Sequence, residues 1–383
     1  MNCREAWNGW NCLNEEKEHA HRQDTHYTPF DALRRLDGKF GAEGLRFAQD
    51  QRAGDEVIYY HKYTHRKNSS VPDLKKRLAD MDIAEFDKQV LICGSRLTYY
   101  ETTPEIGLEI CRACNDGSAE AMSYSDRFIG AAIVPLQDVG MAVEELDRAI
   151  KKLGLKAVNI ATNVNGRLLD TPELKGFYKK VSELDVPILV HGVSDFMCYG
   201  IRQIDKHPPF SQVRLTGVLG FPFEMQIVIS SLILGGVLDE FPNLRFCFLE
   251  GGVGFFAHLM DRLTGDAYAW LTAKSEADRK NDQKMRDIRD AMGNREDIVK
   301  DRLIKKPPED YVENLYLSVE VFEKLLPYTI QAYGSDNLVL GSDYPHPDTF
   351  FPHTIPRLMN LDAISPEDKE KIAGKNAERL LGI

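Results

Sequence analysis

The sequence predicts an α/β fold built as a (β/α)8 TIM barrel. Short runs rich in Val, Ile and Leu alternate with amphipathic helical stretches from about residue 80 onward, the signature of repeated βα units. The helical stretches are long enough to carry the chain back between parallel strands. Several of the runs end on a histidine or a carboxylate, and the C-terminal strand ends are where a barrel gathers its functional groups.

Seven strands can be named, at 89–93, 128–134, 157–160, 187–190, 244–249, 314–319 and 337–340. Helices at 141–153, 173–184, 224–238 and 321–333 lie between them. The eighth strand must precede residue 80. There, 57–60 is the most strand-like run, while 15–29 is too polar for a central strand. The reading is of one domain over 1–383 with an atypical N-terminal part at 1–77. A charged, helix-favouring insertion at 274–306 falls between the sixth and seventh strands, as a lid, an oligomer contact or a solvated excursion.

The 383 residues are 43% hydrophobic and 28% charged, and their mean hydropathy is −0.36, the balance of a chain with a sizeable core. A net charge of −11 argues against a nucleic-acid surface and for small-molecule partners. Apolar runs such as 227–238 fall short of the ~20 residues of a membrane-spanning helix, so no membrane segment is expected. A charged stretch at Asn14, Glu15, Glu16, Lys17 and Glu18 stands where a secretory signal would be apolar, so a cytoplasmic location is expected. Seven cysteines, several in apolar runs, read as reduced thiols. Cys111 and Cys114 form a lone CxxC in a helical stretch and read as helix packing, not zinc.

Three strands lead directly into metal-capable side chains: Val190 into His191, Leu249 into Glu250, and Leu340 through Gly341 and Ser342 into Asp343. Singly, these could be a core histidine, a helix cap and a turn former. Jointly, at three strand ends of one barrel, they point to a divalent, zinc-like ion, for which imidazole and carboxylate are suitable donors. His346 follows Asp343 in the same loop, as a proton relay or a brace of the turn. Arg96 and Lys156, near the second and fourth strands, could pair with a substrate carboxylate or with surface partners.

The runs GFPFE (220–224), LILGGVLDEFPNLRF (232–246), LEGG (249–252), LGSDYPHPD (340–348) and NAERLLGI (376–383), with LADMDIAEFDKQVLI (78–92), are similar to the aminocarboxymuconate-semialdehyde decarboxylase branch of the amidohydrolase superfamily. The resemblance covers about residues 78–383. It implies a metal-dependent barrel, zinc with manganese as the alternative, acting on small carboxylated substrates, and it suggests a homodimer. In that family a first-strand HxH pair, a histidine after the fifth strand and an aspartate after the eighth hold the metal. The last two carry over to His191 and Asp343. Glu250 stands where a sixth-strand histidine is usual, and a glutamate there can bind metal or move protons but lacks the imidazole pKa.

For the first-strand pair, His19 and His21 fit the letters, but Asp24 and His26 are favoured because Tyr27-Thr28-Pro29 continues as the family motif does. His61 and His65 read as partly exposed loop histidines. The expected metal set is therefore Asp24, His26, His191 and Asp343, with Glu250, Asp343 and His346 as the catalytic groups. The expected reaction is decarboxylation of an unsaturated or aromatic acid. Hydrolytic carbon–carbon cleavage of a ring-cleavage product and a non-catalytic ligand-binding barrel are the alternatives.

Overall fold

The computed structural model describes residues 21–51, 54–60, 63–67, 71–93, 100–192, 215–268, 304–346 and 349–383. The first strand, β1 (His21–His26), is followed by a short helix, Phe30–Arg34, and by a small antiparallel sheet of β2 (Arg46–Asp50), β3 (Asp55–Tyr60) and β4 (Tyr63–Arg66). Helix α1 (Leu74–Ile83) then leads into a regular alternation of strand and helix. Its members are β5 (Lys88–Ile92), α2 (Pro104–Tyr124), β6 (Phe128–Ile133), α3 (Val139–Lys151), β7 (Ala157–Ala161), α4 (Lys175–Leu184) and β8 (Ile188–His191). It continues through α5 (Phe221–Leu234), β9 (Phe246–Leu249), α6 (Gly254–Arg262), β10 (Leu315–Val319), α7 (Leu326–Tyr333), β11 (Leu338–Leu340) and a final helix, α8 (Asn376–Leu381).

The main sheet runs β1-β5-β6-β7-β8-β9-β10-β11, and every neighbouring pair is parallel. It curls so that its two edge strands meet, the His26 amide donating to the Tyr344 carbonyl at 2.8 Å. Residues of β6 to β11 are buried on both faces, which is why they read as unbroken apolar runs. Alternate side chains separate cleanly. Val90, Ile92, Ala131, Leu189, Leu249 and Val339 share one core cluster with Leu380 of α8, whereas Leu91, Ala132, Val190 and Phe248 pack into the larger cluster under the helices. Thr103 and Asp138 cap α2 and α3 by accepting from the Ile106 and Met141 amides, so both crossovers start at a defined residue.

The polar segment does supply the missing strand. β1 pairs with β5 through a register irregularity between Arg22 and Thr25, and the apolar run at 57–60 belongs instead to the small sheet. There Ile58 and Tyr60 pack with Leu33, Ile110 and Cys114, so their apolar character serves a satellite core beside α2. Cys111 and Cys114 lie in α2, and burial pushes both thiols up. The apolar run around α5 is longer than the sequence reading allowed: the helical stretch Gly217–Leu234, 18 residues, is long and apolar enough to cross a membrane by length and composition. Met225, Val228, Ile229, Leu232 and Ile233 from it are buried in the main core. Of the insertion predicted at 274–306, only the last three positions fall within the described residues, where the Lys305 amide donates to Asp239 at 2.9 Å.

Candidate metal centre

Four side chains converge at the C-terminal ends of β1, β8, β9 and β11. His191 shares the inward parity of Leu189, and is 3% exposed. Its Nδ1–H donates to the Gly192 carbonyl at 2.6 Å, which leaves Nε2 to face Glu250 Oε1 at 2.9 Å. The same Oε1 lies 2.9 Å from Nε2 of His26, and that nitrogen lies 3.0 Å from Asp343 Oδ1. A Cβ at Gly192 would lie 2.3 Å from the Phe221 ring, so glycine is what lets the aromatic ring pack beside His191.

Glu250 follows the inward-facing Leu249 and would point outward if the strand continued. A left-handed backbone, φ +58°, breaks the alternation and returns its carboxylate to the imidazoles. Asp343 has the same feature, with φ +48°. Such conformations cost about 1–3 kcal/mol each in non-glycine residues and persist where surrounding structure holds them. Glu323 does part of this holding: its carboxylate accepts from the amides of Val253 (2.6 Å), Gly254 (3.2 Å) and Glu320 (3.0 Å), fixing the turn after Glu250. Burial raises the Glu323 pKa, against the pull of those amides.

The electrostatics of the cluster ask for a cation. Burial works to lower the pKa of His26, but hydrogen bonds and charge from Asp343 and Glu250 outweigh it and hold the imidazole well above 6.5. Burial likewise works to raise Glu250, but His191 and His26 hold it well below 4.5. Two carboxylates and two imidazole nitrogens thus meet at one point, where opposite charge favours the charged forms of His26 and Glu250. Donor atoms of His26, His191 and Glu250 lie within 4.8 Å of one another, as do those of His26, Asp343 and His346. Imidazole nitrogen and carboxylate oxygen are donors that a divalent zinc- or manganese-like ion accepts, so this set fits one.

The sequence-based candidates separate into groups. His26, His191, Glu250 and Asp343 are brought together, and His346, 43% exposed, reaches their rim, with Nε2 3.7 Å from Asp343 Oδ1 and its ring 4.6 Å from that of His26. Asp24 lies in β1, as does His21, but their side chains, like that of His65 in β4, fall outside the described residues. His19, His61 and Arg96 fall outside them altogether. Lys156 is corrected by strand polarity: it precedes β7 and is exposed at the N-terminal end of that strand, away from the cluster.

Sequence reasoning missed Arg77, which no motif marks. Fully buried in α1, it donates to the His26 carbonyl at 2.7 Å and to Gln89 Oε1 at 2.8 Å, and lies over the rings of Tyr27 and Tyr344 at 5.5 and 5.1 Å. It therefore fastens the two edge strands behind the cluster. Above the cluster opens a cavity of about 740 Å³, a volume suited to a small molecule, with Phe221, Phe322 and Phe350 in its wall. Glu250, Glu320, Glu323 and Asp343 also line it, and among the described residues no lysine or arginine does.

Comparison with known proteins places this geometry. The profile of the amidohydrolase family matches residues 100–383. The 2-amino-3-carboxymuconate-6-semialdehyde decarboxylase of Dictyostelium discoideum is 27% identical over 327 residues, covering 84% of this chain and 80% of its own. The solved 5-carboxyvanillate decarboxylase of Sphingomonas paucimobilis superposes with a TM-score of 0.71 at 18% identity, over 96% of this chain and 100% of its own. A dihydroxybenzoic acid decarboxylase from Polaromonas sp. JS666, solved with bound manganese, superposes with a TM-score of 0.68 at 20% identity, over 96% and 97%. The chain belongs to the amidohydrolase family, in the branch that resembles aminocarboxymuconate-semialdehyde decarboxylase.

Proposed function

We propose that this protein is a metal-dependent decarboxylase of an unsaturated or aromatic carboxylic acid. The observation that carries the reading is the meeting of His26, His191, Glu250 and Asp343 beneath an aromatic-walled cavity. Several of its relatives, the three described above among them, are named as decarboxylases, and this supports the choice of reaction. We read the curled sheet as a complete (β/α)8 barrel, with the segment at 274–306 inserted in sequence between its sixth and seventh strands. His26, His191 and Asp343, with Asp24, would hold the ion, zinc in first place and manganese in second. When bound, a divalent ion supplies Lewis-acid polarisation of substrate oxygen atoms.

The chain's own residues do the rest. Phe221, Phe322 and Phe350 would hold an unsaturated ring and exclude water from it. Among the described residues no basic side chain lines the cavity, and Arg96 stays the candidate partner for a substrate carboxylate. His346, 43% exposed beside His26, would deliver a proton. In the reaction the bond from ring carbon to carboxylate breaks, its electron pair stays on the carbon, that carbon takes the proton, and carbon dioxide leaves. The reduced, buried thiols of Cys93, Cys111, Cys114 and Cys247 support a reducing, cytoplasmic location, and the family resemblance supports a homodimer.

The test is carbon dioxide release from a panel of hydroxylated aromatic and unsaturated acids, with Asp343→Asn beside the native protein. Release without incorporation of solvent oxygen, abolished in a folded Asp343→Asn, is the expected result. Two fragments carrying solvent oxygen would mean hydrolysis instead, and an active Asp343→Asn would remove that residue from the mechanism.

A further inference from the structure

We propose that Glu250 is itself a ligand of the ion, a further donor beside Asp24, His26, His191 and Asp343, and not a proton shuttle. The inference rests on the reading that this cluster binds a divalent ion. Its first ground is distance: Oε1 lies 2.9 Å from each imidazole Nε2, and His26 Nε2 lies 3.0 Å from Asp343 Oδ1. Donors about 2.1 Å from one ion and at right angles across it, as in the octahedral coordination of a manganese-like ion, sit about 3 Å apart, since the separation is the bond length times the square root of two. The cluster already has that spacing.

The second ground is orientation. His191 Nδ1–H is committed to the Gly192 carbonyl, so Nε2 is the ring nitrogen turned to Glu250 Oε1. That one oxygen faces the second imidazole at the same distance, so it stands between the two ring nitrogens that would bind the ion. The third ground is the acidic setting. Glu250, Glu320, Glu323 and Asp343 all line the cavity, and among the described residues no lysine or arginine does. The fourth is the backbone. The left-handed turns at Glu250 and Asp343 both bring a carboxylate to one point, a shared device for two donors that a rim acid would not require. Glu250 is 13% exposed and engaged by both histidines, whereas His346 is 43% exposed.

The test is metal affinity, read without turnover. Native protein, Glu250→Gln and Glu250→Asp are stripped of metal, checked for native far-ultraviolet circular dichroism, and titrated with Mn²⁺ against a chelating dye. The visible spectrum is then recorded with Co²⁺ in the site. Loss of a ligand should weaken binding by about 100-fold in Glu250→Gln and at least about tenfold in Glu250→Asp, and should change the cobalt bands. Glu250→Asp serves if Glu250→Gln does not fold. Binding within about threefold of native with unchanged cobalt bands would overturn the assignment and return Glu250 to acid–base work. Failure of the native protein to bind either ion is a different result, since it would remove the metal-dependent reading as a whole.

Discussion

Replacement of Arg77 by methionine keeps most of the side-chain volume and removes every donor. In the native protein the guanidinium donates to the carbonyls of His26 (2.7 Å) and Val71 (3.3 Å) and to Gln89 Oε1 (2.8 Å), and covers the rings of Tyr27 and Tyr344. Three acceptors that lose a buried donor cost about 1 kcal/mol or more each, and two cation–π faces add about 0.5–1 kcal/mol each. Against this, the buried charge no longer has to be desolvated. Burial lowers the Arg77 pKa to about 10, while Tyr344, Tyr27 and Asp80 work to raise it, so the group is charged at neutral pH and its removal returns part of that cost. The balance is a loss of about 3 kcal/mol. It should appear in urea unfolding of the metal-free protein as a lower midpoint with an unchanged slope. Because the lost bonds hold His26 and the edge-strand seam, metal affinity should fall as well. A stability change below about 1 kcal/mol together with native metal affinity would refute the role assigned to Arg77.

Other consequences can be measured on the same protein. At Glu250, with φ +58°, glycine should be more stable than alanine by about 0.5–1 kcal/mol in metal-free unfolding, since only alanine keeps the left-handed penalty. Equal stability would mean that the turn relaxes when the carboxylate is removed. The metal-free protein should also show a pH dependence from its two shifted groups. Glu250, depressed below 4.5, stabilises above that value, and the contribution is lost as pH falls through its folded pKa. His26, raised above 6.5, stabilises below that value, and the contribution is lost as pH rises through its folded pKa. Melting temperature should therefore peak between 4.5 and 6.5 from this pair, and Glu250→Gln should flatten the curve. A native-like peak in Glu250→Gln would assign the dependence to other groups.

Much of the architecture was legible because buried parallel strands are apolar on both faces and end where the chemistry begins. β5 to β11 stand within a few residues of their expected places, and His191, Glu250 and Asp343 are recognisable as strand-end polar residues after apolar runs. β1 was hard to see because a short edge segment that brings ligands to the mouth cannot also be a run of valines, so the apolar 57–60 run drew attention from it. Lys156 looked close to a strand end in sequence, but only strand direction shows that it is the other end. Arg77 gave no signal at all: a lone arginine in a helix normally reads as a surface residue, and its burial follows from packing across the edge-strand seam.

A divalent ion held by His26, His191 and their carboxylate partners can be counted by plasma mass spectrometry, on protein purified without a metal-binding tag and on His191→Ala. About one zinc or manganese ion per chain is expected in the native protein, and none in a folded His191→Ala. A native protein that holds no divalent ion and takes none up on addition, or a His191→Ala that keeps a full complement, would overturn the metal site.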